Sequence, residues 1–290
     1  MEKVDNTLSN TRTLHDPPIS LREHFKWWKP NSYFFRRAGH RWREWRNGLH
    51  PSPVYVFILS PPYSGSTLLH HILSACPYVS PTNVIGTREG QRLPIVRSIM
   101  FNSHVMWNAQ VSLPWKKIRR IWEAYWDKTK PLLLEKSPTN TLHAEDIEIE
   151  FEPTRFIILV RHPYALVAGF RKRNPHRSVQ EATELMIMLL KHLREHLLQR
   201  NKALLVRYED LVGHKDDIVP RLEKFLPEAG KISTDGIYQV HNPTGKASKL
   251  QNFNRDKMQR FTSEELSQIR DSLEEEKELM HYFNYSLCSL

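Results

Sequence analysis

The stretch VYVFILSPPYSGSTLLHHILSA occupies residues 54–75. It opens on a short apolar run rich in β-formers, turns through residues 60–65, and continues as an apolar, helix-like segment. Strand, tight turn and helix in that order begin a βαβ unit. The turn carries chemistry as well. Backbone N–H groups of Ser64, Gly65, Ser66 and Thr67 at a helix N-terminus would face an anion, and the helix dipole adds to them. The hydroxyls of Ser66 and Thr67 are further donors, and Gly65 permits a close backbone approach. Taken alone, the stretch fits an ordinary polar-capped turn equally well. A kinase or NTPase loop would have Gly where Ser60 stands and Lys where Ser66 stands. The missing Lys argues against triphosphate hydrolysis and leaves a bisphosphate nucleotide open.

Similar apolar runs recur downstream: PLLLEK (131–136), RFIILV (155–160) and ALLVRY (203–208). Each is short and continuous, as a parallel strand buried on both faces should be. Helical patterns lie between them. Residues 178–200 place Ala182, Leu185, Leu189, Leu193 and Leu197 on one stripe, with Ser178 and Glu181 as a capping box. Thr262 and Glu265 make a second box, opening a helix near 263–280 whose Glu274, Glu275 and Glu276 read as a solvated face. Strands alternating with helices predict an α/β fold with a mainly parallel sheet. Ligands of such sheets bind beyond the carboxyl ends of the strands.

We read residues 51–290 as one α/β domain, preceded by a basic, aromatic arm over residues 1–50. Eight Lys/Arg and eight aromatics interleave across residues 22–46, and Pro30 divides that segment. Such a mixture suits single-stranded nucleic acid, a membrane surface, or a lid packed on the core; the last is favoured. Between residues 100 and 130, Trp107, Trp115, Trp122 and Trp126 either line a pocket or pack the core, and the helical spacing of the last three favours packing.

Composition narrows the class. The net charge of +10 favours anionic partners without choosing among them. No apolar run approaches the roughly eighteen residues of a membrane span, and the first ten residues hold no apolar signal core. The two cysteines, Cys76 and Cys288, rule out a disulfide framework and point to a reducing, cytoplasmic setting. No Cys/His spacing suggests zinc.

Four segments in order, SPPYSGSTLL (60–69), LLLEKSPTN (132–140), RHPYALVAGF (161–170) and LLVRYEDLV (204–212), together resemble the sulfotransferase superfamily that uses 3′-phosphoadenosine 5′-phosphosulfate (PAPS). Pro138 stands where the cytosolic branch has the His of Lys-x-His, so the likeness is to the bacterial, Golgi and tyrosylprotein-type branch. The resemblance implies a P-loop-like, three-layer α/β fold with a central, mainly parallel sheet flanked by helices. It implies sulfuryl transfer from PAPS to a hydroxyl or amine of a small molecule, glycan or peptide, with PAP as product and no metal.

By the same resemblance, Ser64, Gly65, Ser66 and Thr67 hold the 5′ side of the nucleotide. Tyr63 stands where the family has Lys or Arg. Arg161 would grip the 3′-phosphate, a role suited to a guanidinium at a strand end. Gly169 stands where the family commonly has Ser, so its backbone N–H would have to serve. Tyr208 would contact the nucleotide, with Glu209 and Asp210 capping the next helix. Lys136 would meet the transferring group. Glu89, in GTREGQRLP (86–94), resembles the base of the tyrosylprotein-type enzymes, with Arg88 and Arg92 beside it. His143 and His162 are the other candidate bases. A late basic loop, HNPTGKASKLQNF (241–253), offers Lys246 and Lys249 to the 3′-phosphate. Two alternatives stay open: a nucleotide-binding protein without catalysis, for which Tyr63 and Gly169 speak, and a basic module for a membrane surface or nucleic acid, of which nucleic acid is not expected.

Overall fold

The computed structural model describes residues 33–101, 105–238 and 249–286. Five strands form one sheet: β1 (Val54–Leu59), β2 (Val79–Pro81), β3 (Leu132–Lys136), β4 (Thr154–Val160) and β5 (Ala203–Arg207). Their order is β2-β3-β1-β4-β5, and each pairing is parallel. The four expected strands are present. The edge strand β2, three residues ending in proline, carries too little apolar pattern to be legible.

Alternate residues of each strand feed opposite layers. Tyr55, Phe57 and Leu59 of β1 face one core with Leu133, Phe156, Ile158 and Val160. Val54, Val56 and Ile58 face the other with Leu134, Ile157, Leu159 and Val206. Burial on both faces explains the unbroken apolar runs. The first layer is covered by α4 (Trp115–Glu123), α5 (Ala144–Glu150), α6 (Pro163–Arg173), α7 (Val179–Gln199), α11 (Ser263–Glu274) and α12 (Lys277–Tyr282). The second is covered by α2 (Ser66–Ser74), α8 (Tyr208–Gly213) and α9 (Lys215–Phe225). The register pairs Ile58 with both Lys136 and Ile157, so β1 and β3 end within one residue of each other while β4 runs on to Val160, and their loops open on one edge.

Both capping boxes form: the Glu181 N–H donates to Ser178 Oγ at 3.0 Å, and the Glu265 N–H to Thr262 Oγ1 at 3.2 Å. The helix expected over 263–280 breaks after Glu274 and resumes at Lys277. At the break Glu276 pairs with Lys191, so it is not part of a purely solvated face. Trp122 and Trp126 are fully buried against Phe57 and Phe151, as helical spacing predicted.

Of the N-terminal arm, α1 (Tyr33–Asn47) is described and residues 22–32 are not. Arg43 pairs with Asp127 at 2.6 Å, and Arg36 donates to the Pro81 carbonyl at 3.1 Å. The opposite face of α1 exposes Phe34, Phe35, Trp42 and Trp45. The remaining short helices are α3 (Val96–Met100) and α10 (Asn254–Met258).

Candidate active site

The turn after β1 is built for close approach. Gly65 has φ +96°, and a Cβ there would lie 2.5 Å from Cδ2 of Tyr208, whose ring covers it. Leu68 and Leu69 donate to the Gly65 carbonyl, leaving the amides of Ser66 and Thr67 outside the helical ladder. Thr141 Oγ1 accepts from the Ser60 N–H at 3.0 Å and fixes the start of the turn. Ser64 Oγ is buried and has no protein partner.

Arg161 follows β4 directly and is only 4% exposed. Its Nη1 donates to the Tyr63 carbonyl at 3.2 Å, its Nε donates to Asn254 Oδ1 at 2.7 Å, and its guanidinium lies 3.8 Å from the Tyr208 ring centroid. Nη2 is buried without a partner. The turn and the guanidinium therefore share one site. Behind Arg161, Glu209 accepts from Asn254 Nδ2 at 2.6 Å, from the His162 N–H at 3.0 Å and from the Tyr285 hydroxyl at 3.1 Å. Glu209 is thus a buttress for Asn254, which the sequence reading treated only as a helix cap.

Two departures from the family pattern meet in space. A Cβ on Gly169 would lie 2.6 Å from Tyr63 Cβ and 2.7 Å from its Cγ. The side chain at 63, from its Cβ outward, occupies the room a larger residue at 169 would need. Gly169 lies inside α6, so its N–H belongs to the helical ladder and is not free to serve a ligand, contrary to expectation. Half-buried Lys257 on α10, which no motif marked, donates to the Tyr63 carbonyl at 3.4 Å and to the Ala165 carbonyl at 3.2 Å.

Lys136 ends β3 and is 1% exposed. Its Nζ donates to the Thr87 carbonyl at 2.6 Å and to Thr67 Oγ1 at 3.2 Å, and lies 3.5 Å from Glu89 Oε1. Burial lowers the ammonium's pKa, with Glu89 and Glu135 acting in the opposite sense. Glu89 also accepts from Gln91 Nε2 at 2.8 Å and Arg92 Nε at 3.0 Å. Burial pushes its carboxyl up, but Lys136 and Arg92 outweigh that and hold it below the usual value. Glu89 is therefore an ion-paired carboxylate.

Glu135, fully buried on the other face of β3, aims this cluster. Its Oε1 accepts from the Gly90 N–H at 2.8 Å and from Ser137 Oγ at 2.7 Å, and its Oε2 accepts from Asn140. A Cβ on Gly90 would lie 2.5 Å from that Oε1, so glycine is needed beside Glu89. Burial pushes the Glu135 carboxyl up to about 7, against the hydrogen bonds from Ser137 and Gly90.

Because the folded state holds that proton more tightly than the unfolded chain, the associated stability is complete below the ordinary 4.5 and is lost as pH rises through about 7. The expected loss across that window is on the order of 3 kcal/mol. It should appear as a fall in urea midpoint that the Glu135→Gln protein does not show. Equal falls in both proteins would assign the pH dependence to other groups.

The other candidates lie elsewhere. His143 Nδ1 is 3.5 Å from Asp146 and its ring meets Trp115, while the His162 ring stacks on Tyr164 and meets Tyr285. Burial lowers the pKa of both. Arg88 Nη1 turns to Ser74 Oγ at 3.2 Å, and Lys249 is exposed. Lys246 lies outside the described residues. Among the described residues no cluster of His, Cys, Asp and Glu is placed to hold a metal, and no helix is long and apolar enough to cross a membrane.

A turn whose first helical amides lie outside the ladder, at the middle strand of a parallel sheet and beside a buried guanidinium and a buried lysine, marks the candidate site of this α/β protein. Residues 53–229 match the model of the sulfotransferase family, and the chain belongs to that family. Its fold is like that of the sulfotransferase domain of the Synechococcus PCC 7002 olefin synthase, with TM-score 0.51 and 23% identity over 82% of this chain and 97% of that one. It is also similar to sulfotransferases from Mycobacterium avium (TM-score 0.46, 11% identity, 76% of this chain, 71% of that one) and Alicyclobacillus acidocaldarius (0.43, 13%, 82% and 98%). No curated protein matches the chain significantly. The family supports a sulfotransferase enzyme and bears out the resemblance read from the four motifs, and the wholly parallel sheet bears out the fold class.

Proposed function

We propose that this protein transfers a sulfuryl group from PAPS to a hydroxyl or amine of a small-molecule, glycan or peptide acceptor. The observation that carries the reading is a pair of buried polar atoms with no protein partner, Arg161 Nη2 and Ser64 Oγ, the first on a guanidinium bonded to the Tyr63 carbonyl and the second in the Gly65 turn itself. Such groups are costly to leave unmatched, and a nucleotide carrying phosphates satisfies both.

Ser64, Gly65, Ser66 and Thr67 bind the 5′ side through main-chain and hydroxyl donors. Arg161, held by Asn254 and Tyr63, binds the 3′-phosphate. Lys136 stabilises charge on the transferring group. Glu89 takes the acceptor's proton, and Arg92 and Lys136 orient it. PAPS supplies the sulfur: the acceptor atom bonds to it as the S–O bond to phosphate breaks, and the electron pair leaves with PAP.

Incubation with ³⁵S-labelled PAPS and a panel of alcohols, phenols, amines and sugars tests this reading. Label is expected on at least one acceptor class. A second reading, nucleotide binding without catalysis, is favoured by Tyr63 in place of the loop cation. Tight PAP binding with no label transferred to any acceptor would select it.

A further inference from the structure

Helix α1 is built the opposite way round from an ordinary surface helix, which buries its apolar stripe and turns its charges to water. The face of α1 that meets the protein is largely polar. Arg43 pairs with Asp127, Glu44 lies 4.0 Å from Lys128, Arg36 donates to the Pro81 carbonyl, and His40 is buried. Tyr33 packs edge-on against Tyr125 at 5.5 Å and donates to Asn83 Oδ1 at 3.3 Å. These contacts hold α1 to segments 81–83 and 125–128. It cannot roll its outer face inward without breaking them.

That outer face carries Phe34, Phe35, Trp42 and Trp45, the last 82% exposed. At 3.6 residues per turn, these four and Ala38 fall within an arc of about 100°. Arg37 and Arg41 border the arc on one side and Arg46 on the other, and all three are exposed. Glu44 is the single acidic residue of α1 and belongs to the inner face, so no carboxylate of the helix interrupts the outer one. Among the described residues the rings of this face meet only each other and the helix's own arginine: Phe34 lies edge-on to Phe35, and the Arg46 guanidinium is 5.3 Å from the Trp42 centroid. A contiguous patch of exposed rings marks an interaction surface.

We propose that the outer face of α1 docks this protein on an anionic lipid bilayer. The inference is independent of the sulfuryl-transfer reading. Charge and shape choose the occupant. Aromatic rings settle at headgroup level in a bilayer, and arginines bordering them meet the lipid phosphates. A second copy of the chain would set arginines against arginines across a two-fold contact. A single nucleic-acid strand is gripped in a positively charged groove, whereas this face is the convex side of one helix with its cations at the borders of the rings.

The test is flotation of the full-length protein with vesicles of phosphatidylcholine and phosphatidylglycerol, against vesicles of phosphatidylcholine alone. Binding is expected to the anionic vesicles, falling as salt is raised, and at least about tenfold weaker to the neutral ones. Arg41→Gln with Arg46→Gln should weaken anionic binding roughly thirtyfold, the loss of two cations near a charged surface. Trp42→Gln with Trp45→Gln should weaken it roughly a hundredfold and remove most of the quenching of tryptophan fluorescence by brominated lipid. All four positions are exposed, and circular dichroism melts identify any variant that fails to fold. The wild-type comparison of the two vesicle types decides without any variant. No flotation with anionic vesicles, or flotation that either double variant leaves unchanged, overturns the proposal. A wild type that ignores vesicles, but whose oligonucleotide binding or self-association is lost in the tryptophan variant, also overturns it and assigns the face to nucleic acid or to a second copy.

Discussion

Lys136→Ala should lower turnover at saturating substrate by about two orders of magnitude, or roughly 3 kcal/mol of transition-state stabilisation, the usual loss for one preorganised donor. The side chain is 1% exposed and is held by Thr87 and Thr67, so its charge is aimed before any ligand arrives. The same change frees Glu89 from its buried cation and leaves it with Arg92 and Gln91. Its carboxyl should then shift upward, moving the acidic limb of the pH–rate profile with it. Steady-state kinetics across pH reads both effects. Wild-type-like turnover would remove Lys136 from the chemistry, and an unmoved acidic limb would remove Glu89.

The second large effect concerns Tyr63 and Gly169. Gly169→Ser restores the residue the family commonly carries, yet it should harm this protein. Its Cβ would stand 2.6 Å from Tyr63 Cβ, inside van der Waals contact, so the turn must move. The cost to stability should be about 1–3 kcal/mol, typical of overpacking. Because the Tyr63 carbonyl seats both Arg161 and Lys257, PAP affinity should fall with it. Tyr63→Gly in the Gly169→Ser background removes both contacting atoms at a position whose φ of 69° suits glycine, and should recover most of both losses. Chemical denaturation and PAP titration of the four proteins form a cycle with an expected coupling on the order of 1–3 kcal/mol. Additive effects would show that the two departures are independent.

That coupling could not be read along the chain. Residues 63 and 169 look like two separate lapses from a motif, and each alone suggests a weakened site. Only their contact shows one steric arrangement with two residues in it. Gly169 was expected to offer an amide; its place within α6 makes that impossible. Lys257 and Asn254 were missed for a related reason. They sit in a short helix with no signature, more than ninety residues beyond Arg161, and their importance comes from what they touch. Glu135 reads in sequence as one charge at a strand end, because its burial depends on Trp122 and Gly90 from other segments. Glu209 was read as a local cap because its neighbours in sequence suggested nothing else.

The sequence by itself determined the parallel sheet, the Gly65 turn, the capped helices and the placing of Lys136 and Arg161 at strand ends. These follow from local rules: an unbroken apolar run needs cover on both faces, a helix start needs caps, and a left-handed turn favours glycine. The tertiary structure alone decided which buried polar atoms lack a partner, which carboxyl holds its proton to about pH 7, and why tyrosine and glycine occur together at 63 and 169. Those properties depend on burial and on charges brought together from distant parts of the chain, and no local pattern encodes either.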